Sequence, residues 1–308
     1  FDVSISTRQF MNANNLRRRV DTGRLGLYTL LIALIVLYLT PIETGLVTSF
    51  KTSSAITGTA PYTPPLSGNA TLEKWQIAID ALLRGMGNSL LYAVPATIIS
   101  AFFGSIAAYG LTITNWKMRY KLPLLALFVA GIFIPYQAVL VPLSQFWAQI
   151  APLEEWLSFV WALGVNTDYV GILELIITHV AYGIPICTIL FRSYYKNIST
   201  EMVESARLNG ATLRRVYQRI VFPLSTPMFA VVLIYQFTQI WNDLLFTLIL
   251  VASESSAAAP VVLILAGLGQ SLEGQDFGLR MAGAFFAALP TLGVYIMFGE
   301  EFAEGVAT

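Results

Sequence analysis

Cysteine and histidine are nearly missing from this 308-residue chain, which has one of each, Cys187 and His179. A disulfide scaffold is thereby excluded, and so is a Cys/His zinc site. Charge is also scarce, at 12% of residues, about half the share usual in a soluble domain. The formal net charge is zero, so no global basic field exists for nucleic acid. There is no Gly-x-x-x-x-Gly-Lys-Ser/Thr phosphate loop, no His-Glu-x-x-His and no Gly-x-Ser-x-Gly, so no nucleotide hydrolysis or acyl-transfer site of those kinds is present. What remains is abundant: 56% of residues are hydrophobic and the mean hydropathy is +0.66. Disorder is incompatible with that, and too few charges remain to coat a soluble protein. The composition reads as an all-α integral membrane protein.

Six stretches are long and apolar enough to cross about 30 Å of hydrocarbon. They are residues 25–49, 89–113, 122–146, 169–191, 221–252 and 277–298. The first follows five arginines without a small-residue cleavage site and reads as a retained helix. A further apolar run, 260–268, is too short to span and is expected to pack on the bundle or lie at the interface. Between the first two spans, residues 60–69 are rich in turn residues, and 72–84 is predicted to form a short surface helix.

Basic residues set the expected orientation. Fourteen of the eighteen lie before span one, between spans two and three, or between spans four and five. Arg8, Arg17, Arg18, Arg19 and Arg24 lead; Lys117, Arg119 and Lys121 follow; Arg192, Lys196, Arg207, Arg214, Arg215 and Arg219 complete the set. By the positive-inside rule both termini are predicted to be cytoplasmic. The expected organisation is a cytoplasmic segment at 1–24, a six-helix domain at 25–298 with a cytoplasmic loop at about 193–220, and a cytoplasmic tail at 299–308.

The loop between spans four and five is long for a helical bundle, and it reads as helical. Ser199 and Thr200 are N-cap candidates, with Glu201 and Glu204 in the first turn, where acids complement the helix dipole. Met202, Val203, Ala206 and Leu208 supply an apolar side. Gly210 suits a left-handed C-cap, and Thr212 can cap a second helix over 213–221. A small helix of this kind fits a groove on another protein, and it equally fits an amphipathic helix lying in the membrane interface.

Glu204-Ser-Ala-Arg-Leu-Asn-Gly210-Ala211, followed by Ile220 and Phe222-Pro223, resembles the signature loop of ABC importer permeases. It has Ser205 where that pattern usually has Ala, and Asn209 where Asp is common. The resemblance extends along most of the chain to the maltose-type, carbohydrate-uptake class, through Asn88-Ser-Leu90, Val141-Pro-Leu143, Ile184-Pro185 and Trp241-Asn-Asp243. It implies the type I importer permease fold, with six spans and a coupling helix between spans four and five. Glu204, Ser205, Ala206, Gly210 and Ala211 would then contact the ATPase. It also implies no cofactor on this chain, with ATP and Mg in two partner ATPase subunits. A second, non-identical permease and an external solute-binding protein complete the implied assembly, in the plasma (inner) membrane of a prokaryote. The implied activity is sugar or oligosaccharide import by alternating access. The acidic tail from Glu300 departs from the basic, glycine-rich tail of the family.

Ionisable residues inside a membrane are costly and point to function. Glu43, Glu174, Asp243 and Arg280 fall toward the external half of their spans, and His179 near the middle, where a packing role is expected. Asn88, Tyr136, Gln137, Glu174, Asn242 and Asp243 are the candidates for the substrate pathway. Trp147, Trp156 and Trp161 are expected in an interfacial belt. Two other readings remain open: a permease for a polyol or glycerol phosphate, and an ion-coupled secondary transporter, which would favour internal repeats and broken helices. An intramembrane enzyme has no supporting constellation.

Overall fold

The computed structural model describes residues 22–66, 68–271 and 274–302. Arg8, Arg17, Arg18 and Arg19, Glu273 and the tail beyond residue 302 lie outside the described residues. The helices run in the order α1 (Thr22–Ser49), α2 (Ser53–Gly58), α3 (Glu73–Thr112), α4 (Met118–Phe133), α5 (Tyr136–Gln145), α6 (Leu153–Trp156) and α7 (Ser158–Trp161). Then follow α8 (Val170–Tyr195), α9 (Thr200–Leu208), α10 (Leu213–Val216), α11 (Phe222–Leu224), α12 (Thr226–Trp241), α13 (Leu245–Leu250), α14 (Val261–Gly267) and α15 (Phe277–Met297). Two π-helical turns, Phe146–Ile150 and Tyr217–Val221, interrupt the series. The two-residue strands β1 (Gln270–Ser271) and β2 (Gly274–Gln275) pair antiparallel just before α15.

Among the described residues, four helices are long and apolar enough to cross a membrane, and the number is six when each of two bent pairs counts as one span. The six-span expectation therefore holds in number, with differences inside three spans. Span two does not start at residue 89. The predicted surface helix and the span form one 40-residue helix, α3. At Gly85 the helix lies close against α14: a Cβ at that position would meet the Val261 Cα at 3.0 Å.

The apolar pattern predicts span three as one helix, but it breaks. Met118–Phe133 and the helix from Tyr136 are bent by 98°. Pro135 has no N–H to continue the ladder and forces Ile134 out of helical conformation, to ψ 113°. Span five bends by 75° between Leu213–Leu224 and Thr226–Trp241, and it is interrupted again at residues 242–244 before α13.

The deepest packing joins α3 to α8, with α12 and α15 also against α3. Without a hydrophobic drive between helices in lipid, such contacts rely on small residues and close fit. Gly104 is one such close contact, since a Cβ there would fall 2.4 Å from that of Cys187. The short apolar run 260–268 contains α14, which packs on α3 and α15. Helix α1 touches α15 but presents exposed apolar residues on every side from Leu25 to Leu39. At the opposite end to α9, buried Lys51 donates to the Ala60 and Pro61 carbonyls and the Thr59 hydroxyl, which pins the turn-rich loop.

Candidate functional site

Local chemistry builds the loop between spans four and five as a capped helix. The Ser199 hydroxyl oxygen accepts the Met202 N–H at the start of α9. The same hydroxyl donates to Glu201 at 2.6 Å, which holds that carboxyl below the usual range. At the other end Gly210 takes φ +80°. The Ala211 N–H then reaches the Ala206 carbonyl and the Gly210 N–H reaches the Arg207 carbonyl, so two carbonyls at the helix end are satisfied. Asn209 adds a side-chain bond to the Ser205 carbonyl at 2.9 Å. Thr212 accepts the Arg215 N–H and opens α10.

One face of α9 is anchored. Val203 is buried and Ala206 partly so, in a cluster with Tyr109, Phe191, Tyr195 and Val216. The opposite face is free: Glu204, Ser205 and Gly210 are exposed, and Leu208 is 89% exposed. A leucine that open, on a helix capped at both ends, is available to fill a partner's pocket. Ala211 is half-buried under the turn. The sequence pattern puts Leu208 with the apolar side. The structure turns it outward, because five residues on from Val203 at 3.6 residues per turn lies nearly on the opposite side of the helix.

The pathway candidates separate into groups. The breaks in spans three and five meet. Tyr136, first residue of α5, stacks on Phe246 of α13 at 4.8 Å, and Tyr182 of α8 packs on both rings. Asp243 stands two residues before α13, its Oδ2 accepting the Phe246 N–H at 3.0 Å. The same oxygen lies 3.6 Å from Nε2 of buried His179, too long for a hydrogen bond. That Nε2 has no hydrogen-bond partner among the described residues. Tyr92 stacks on the imidazole at 5.7 Å. Sequence reasoning misses Tyr92, Tyr182 and Phe246. Tyr182 is findable, three residues after His179 and so on the same face of α8.

Gln137 and Asn242 flank this cluster as exposed residues, and Asn242 bonds back to the Thr238 carbonyl. Asn88 stands apart: its amide donates to the Ala257 and Ala259 carbonyls, tying α3 to the segment before α14. Asp168 accepts from Ser256 and Ala257 of the same segment. Glu174 lines a separate cleft with Glu154, Glu155, Ser144 and Leu250. Trp147 lies buried beside that cleft, its indole N–H on Thr178. The expected interfacial belt therefore excludes it, because α5 and the π-turn fold it inward. Trp156 is exposed and Trp161 donates to the Glu154 carbonyl. Glu43 is exposed on α1, and Arg280 bonds to Gln275.

Comparison with known proteins gives this arrangement its relatives. The family described as binding-protein-dependent transport system inner membrane component matches residues 101–299. The chain is 45% identical to a xylose/arabinose import permease protein of Haloferax volcanii, over 99% of this chain and 98% of that one. It is 40% identical to a probable ABC transporter permease protein of Pyrococcus horikoshii, over 94% and 97%. Among solved structures, a bacterial alginate ABC transporter in complex with alginate pentasaccharide-bound periplasmic protein contains a chain of the same fold. Its TM-score is 0.66 at 16% identity, covering 90% of this chain and 93% of that one.

Proposed function

The chain belongs to the inner membrane components of binding-protein-dependent transport systems, and from that premise we propose that it is the permease subunit of a carbohydrate importer driven through α9. The observation that carries the coupling role is the outward Leu208 and Glu204 on a helix whose other face is locked into the bundle. Energy enters there, from a separate ATPase, because the sequence has no phosphate loop of its own. The near full-length likeness to a pentose import permease supports a sugar as cargo. The cluster at the two span breaks offers aromatic faces and polar edges suited to hydroxylated rings, through Tyr136, Tyr182, Gln137 and Asn242.

In this reading the chain pairs with a second, non-identical permease, and two ATPase subunits bind at the α9 end. A solute-binding protein docks at the opposite end. Both termini face the cytoplasm of a prokaryotic cell, as the basic residues around α9 favour. ATP-driven closure of the ATPase pair moves α9, and the spans rock between inward-open and outward-open states.

The test is affinity purification from native membranes in mild detergent, identification of the co-purifying chains, and import assays in liposomes with pentoses, hexoses and oligosaccharides. Recovery of an ATPase and a second permease, with ATP-dependent sugar uptake, is the expected result. Uptake by this chain alone without ATP would overturn the reading in favour of an ion-driven carrier. ATP-dependent uptake of a polyol or a phosphate ester but no sugar would overturn the cargo alone.

A further inference from the structure

Ser105 lies on α3 with no exposed surface. Its hydroxyl is 2.6 Å from that of Tyr195, the last residue of α8, and 2.8 Å from that of Tyr217, the first residue of the π-turn after α10. A serine hydroxyl has one hydrogen to give and lone pairs to receive, so a single small side chain can join both tyrosines. One helical turn further along α3, Tyr109 donates its hydroxyl to the Leu213 carbonyl at 2.9 Å. The Tyr109 and Tyr217 rings pack at 5.3 Å. Position numbers rise along α3 as they fall from 217 to 213. The segment leaving α9 therefore runs antiparallel to α3 and is held at two points one turn apart.

The surroundings decide which way a push on this segment travels. At Gly104, next to Ser105, α3 and α8 pack closely, an added Cβ lying 3.0 Å from the Cys187 backbone, and a close-packed contact of that kind transmits displacement. Toward α12 the path is different. It passes through the π-turn Tyr217–Val221 and then the 75° bend. Turns of that kind recur at functional sites, and here the bend is tied to α8 as well, by the Tyr194 hydroxyl on the Leu224 carbonyl at 2.8 Å.

We propose that Ser105 is a positioning residue for energy coupling, its hydroxyl joining the segment that leaves α9 to the α3–α8 pair. Displacement of α9 by the ATPase is delivered through that hydroxyl to α3 and α8. The inference deepens the proposed function and rests on α9 being the ATPase contact.

The experiment uses the complete importer in liposomes: this chain with its ATPase, second permease and solute-binding protein. Ser105→Ala, Tyr217→Phe and the double variant are compared with wild type for ATPase retention and for ATP hydrolysed per sugar imported. Each single variant is expected to keep its ATPase and to raise that ratio on the order of two- to tenfold, the scale of one net hydrogen bond. The double variant is expected to match Ser105→Ala, because that change already removes the bond to Tyr217. An unchanged ratio with ATPase retained overturns the proposal, and so do single effects that multiply in the double variant. Loss of ATPase from both single variants also overturns it, since the triad would then merely seat α9. If Ser105→Ala fails to insert, Tyr217→Phe alone carries the test. A wild-type chain that retains no ATPase would instead sink the underlying reading of α9.

Discussion

Asp243 serves two neighbours with one oxygen: its Oδ2 takes the Phe246 N–H at 3.0 Å and faces Nε2 of His179 at 3.6 Å. The carboxylate thus restarts span five after its break and holds α13 where Phe246 can stack on Tyr136. A carboxylate inside a membrane protein is costly, and here the cost is offset by fixing two broken spans against each other.

Replacing Asp243 with Ala removes that helix start, and loss of a capping acceptor typically costs about 1 kcal/mol. Asp243→Asn retains a carbonyl oxygen for the Phe246 N–H. Thermal unfolding in detergent should rank wild type above Asn, and Asn above Ala. Equal losses in the two variants would show that charge, not capping, is what matters.

Gly210 sits at φ +80°, and a Cβ added there would meet nothing within 4 Å, so a substitution is resisted by the backbone alone. A β-branched residue in that conformation costs roughly 1–2 kcal/mol, concentrated in the turn that ends α9. Gly210→Val should insert normally yet import sugar poorly for the ATP consumed. Gly210→Asn, which tolerates the left-handed region, should keep most activity. Full import by the Val variant would remove the turn from the mechanism.

Leu208, at 89% exposed, contributes nothing to the fold that its loss would reveal. Leu208→Ser is expected to change stability by no more than about 0.5 kcal/mol. Retention of the ATPase on purification should nevertheless fall, and Glu204→Lys should act in the same direction. Undiminished retention in both variants would move the contact elsewhere on the loop.

Lys74, at the start of α3, lies 2.7 Å from Asp276, the N-cap of α15. Partial burial pushes the Asp276 carboxyl up. The Lys74 hydrogen bond, the Leu279 N–H and the Lys74 charge together outweigh that, so its pKa lies below the usual value. A carboxyl lowered in the folded state stabilises fully above its unfolded pKa of about 3.9, and that contribution fades as pH falls through the folded value. The melting temperature of Asp276→Asn should therefore lie below wild type at pH 7, and the gap should close as pH drops below about 4. No gap at pH 7 would mean that the bond to Leu279, which Asn keeps, and not the charge ties α15 down.

The spans and the caps of α9 were legible because their causes are local. Lipid requires about 20 apolar residues wherever a helix crosses, and Ser199, Gly210 and Thr212 act on backbone groups within a few positions. Proline shows where that legibility ended. Pro95, Pro185 and Pro290 lie inside unbroken α3, α8 and α15, whereas Pro135 stands at a 98° break. The residue type was visible at all four, and its consequence was not, because neighbouring helices decide whether the freed carbonyl and the bend are tolerated.

By itself the sequence determined a six-span membrane protein and a capped helix in the loop between spans four and five. Those features follow from composition and short-range spacing. Only the tertiary structure decided that Leu208 faces outward, that Asn88 ties α3 to residues 257 and 259, and that Ser105 joins Tyr195 to Tyr217. Each depends on which helix faces meet, and that is settled by close fit between small residues such as Gly104 and groups far away in the chain.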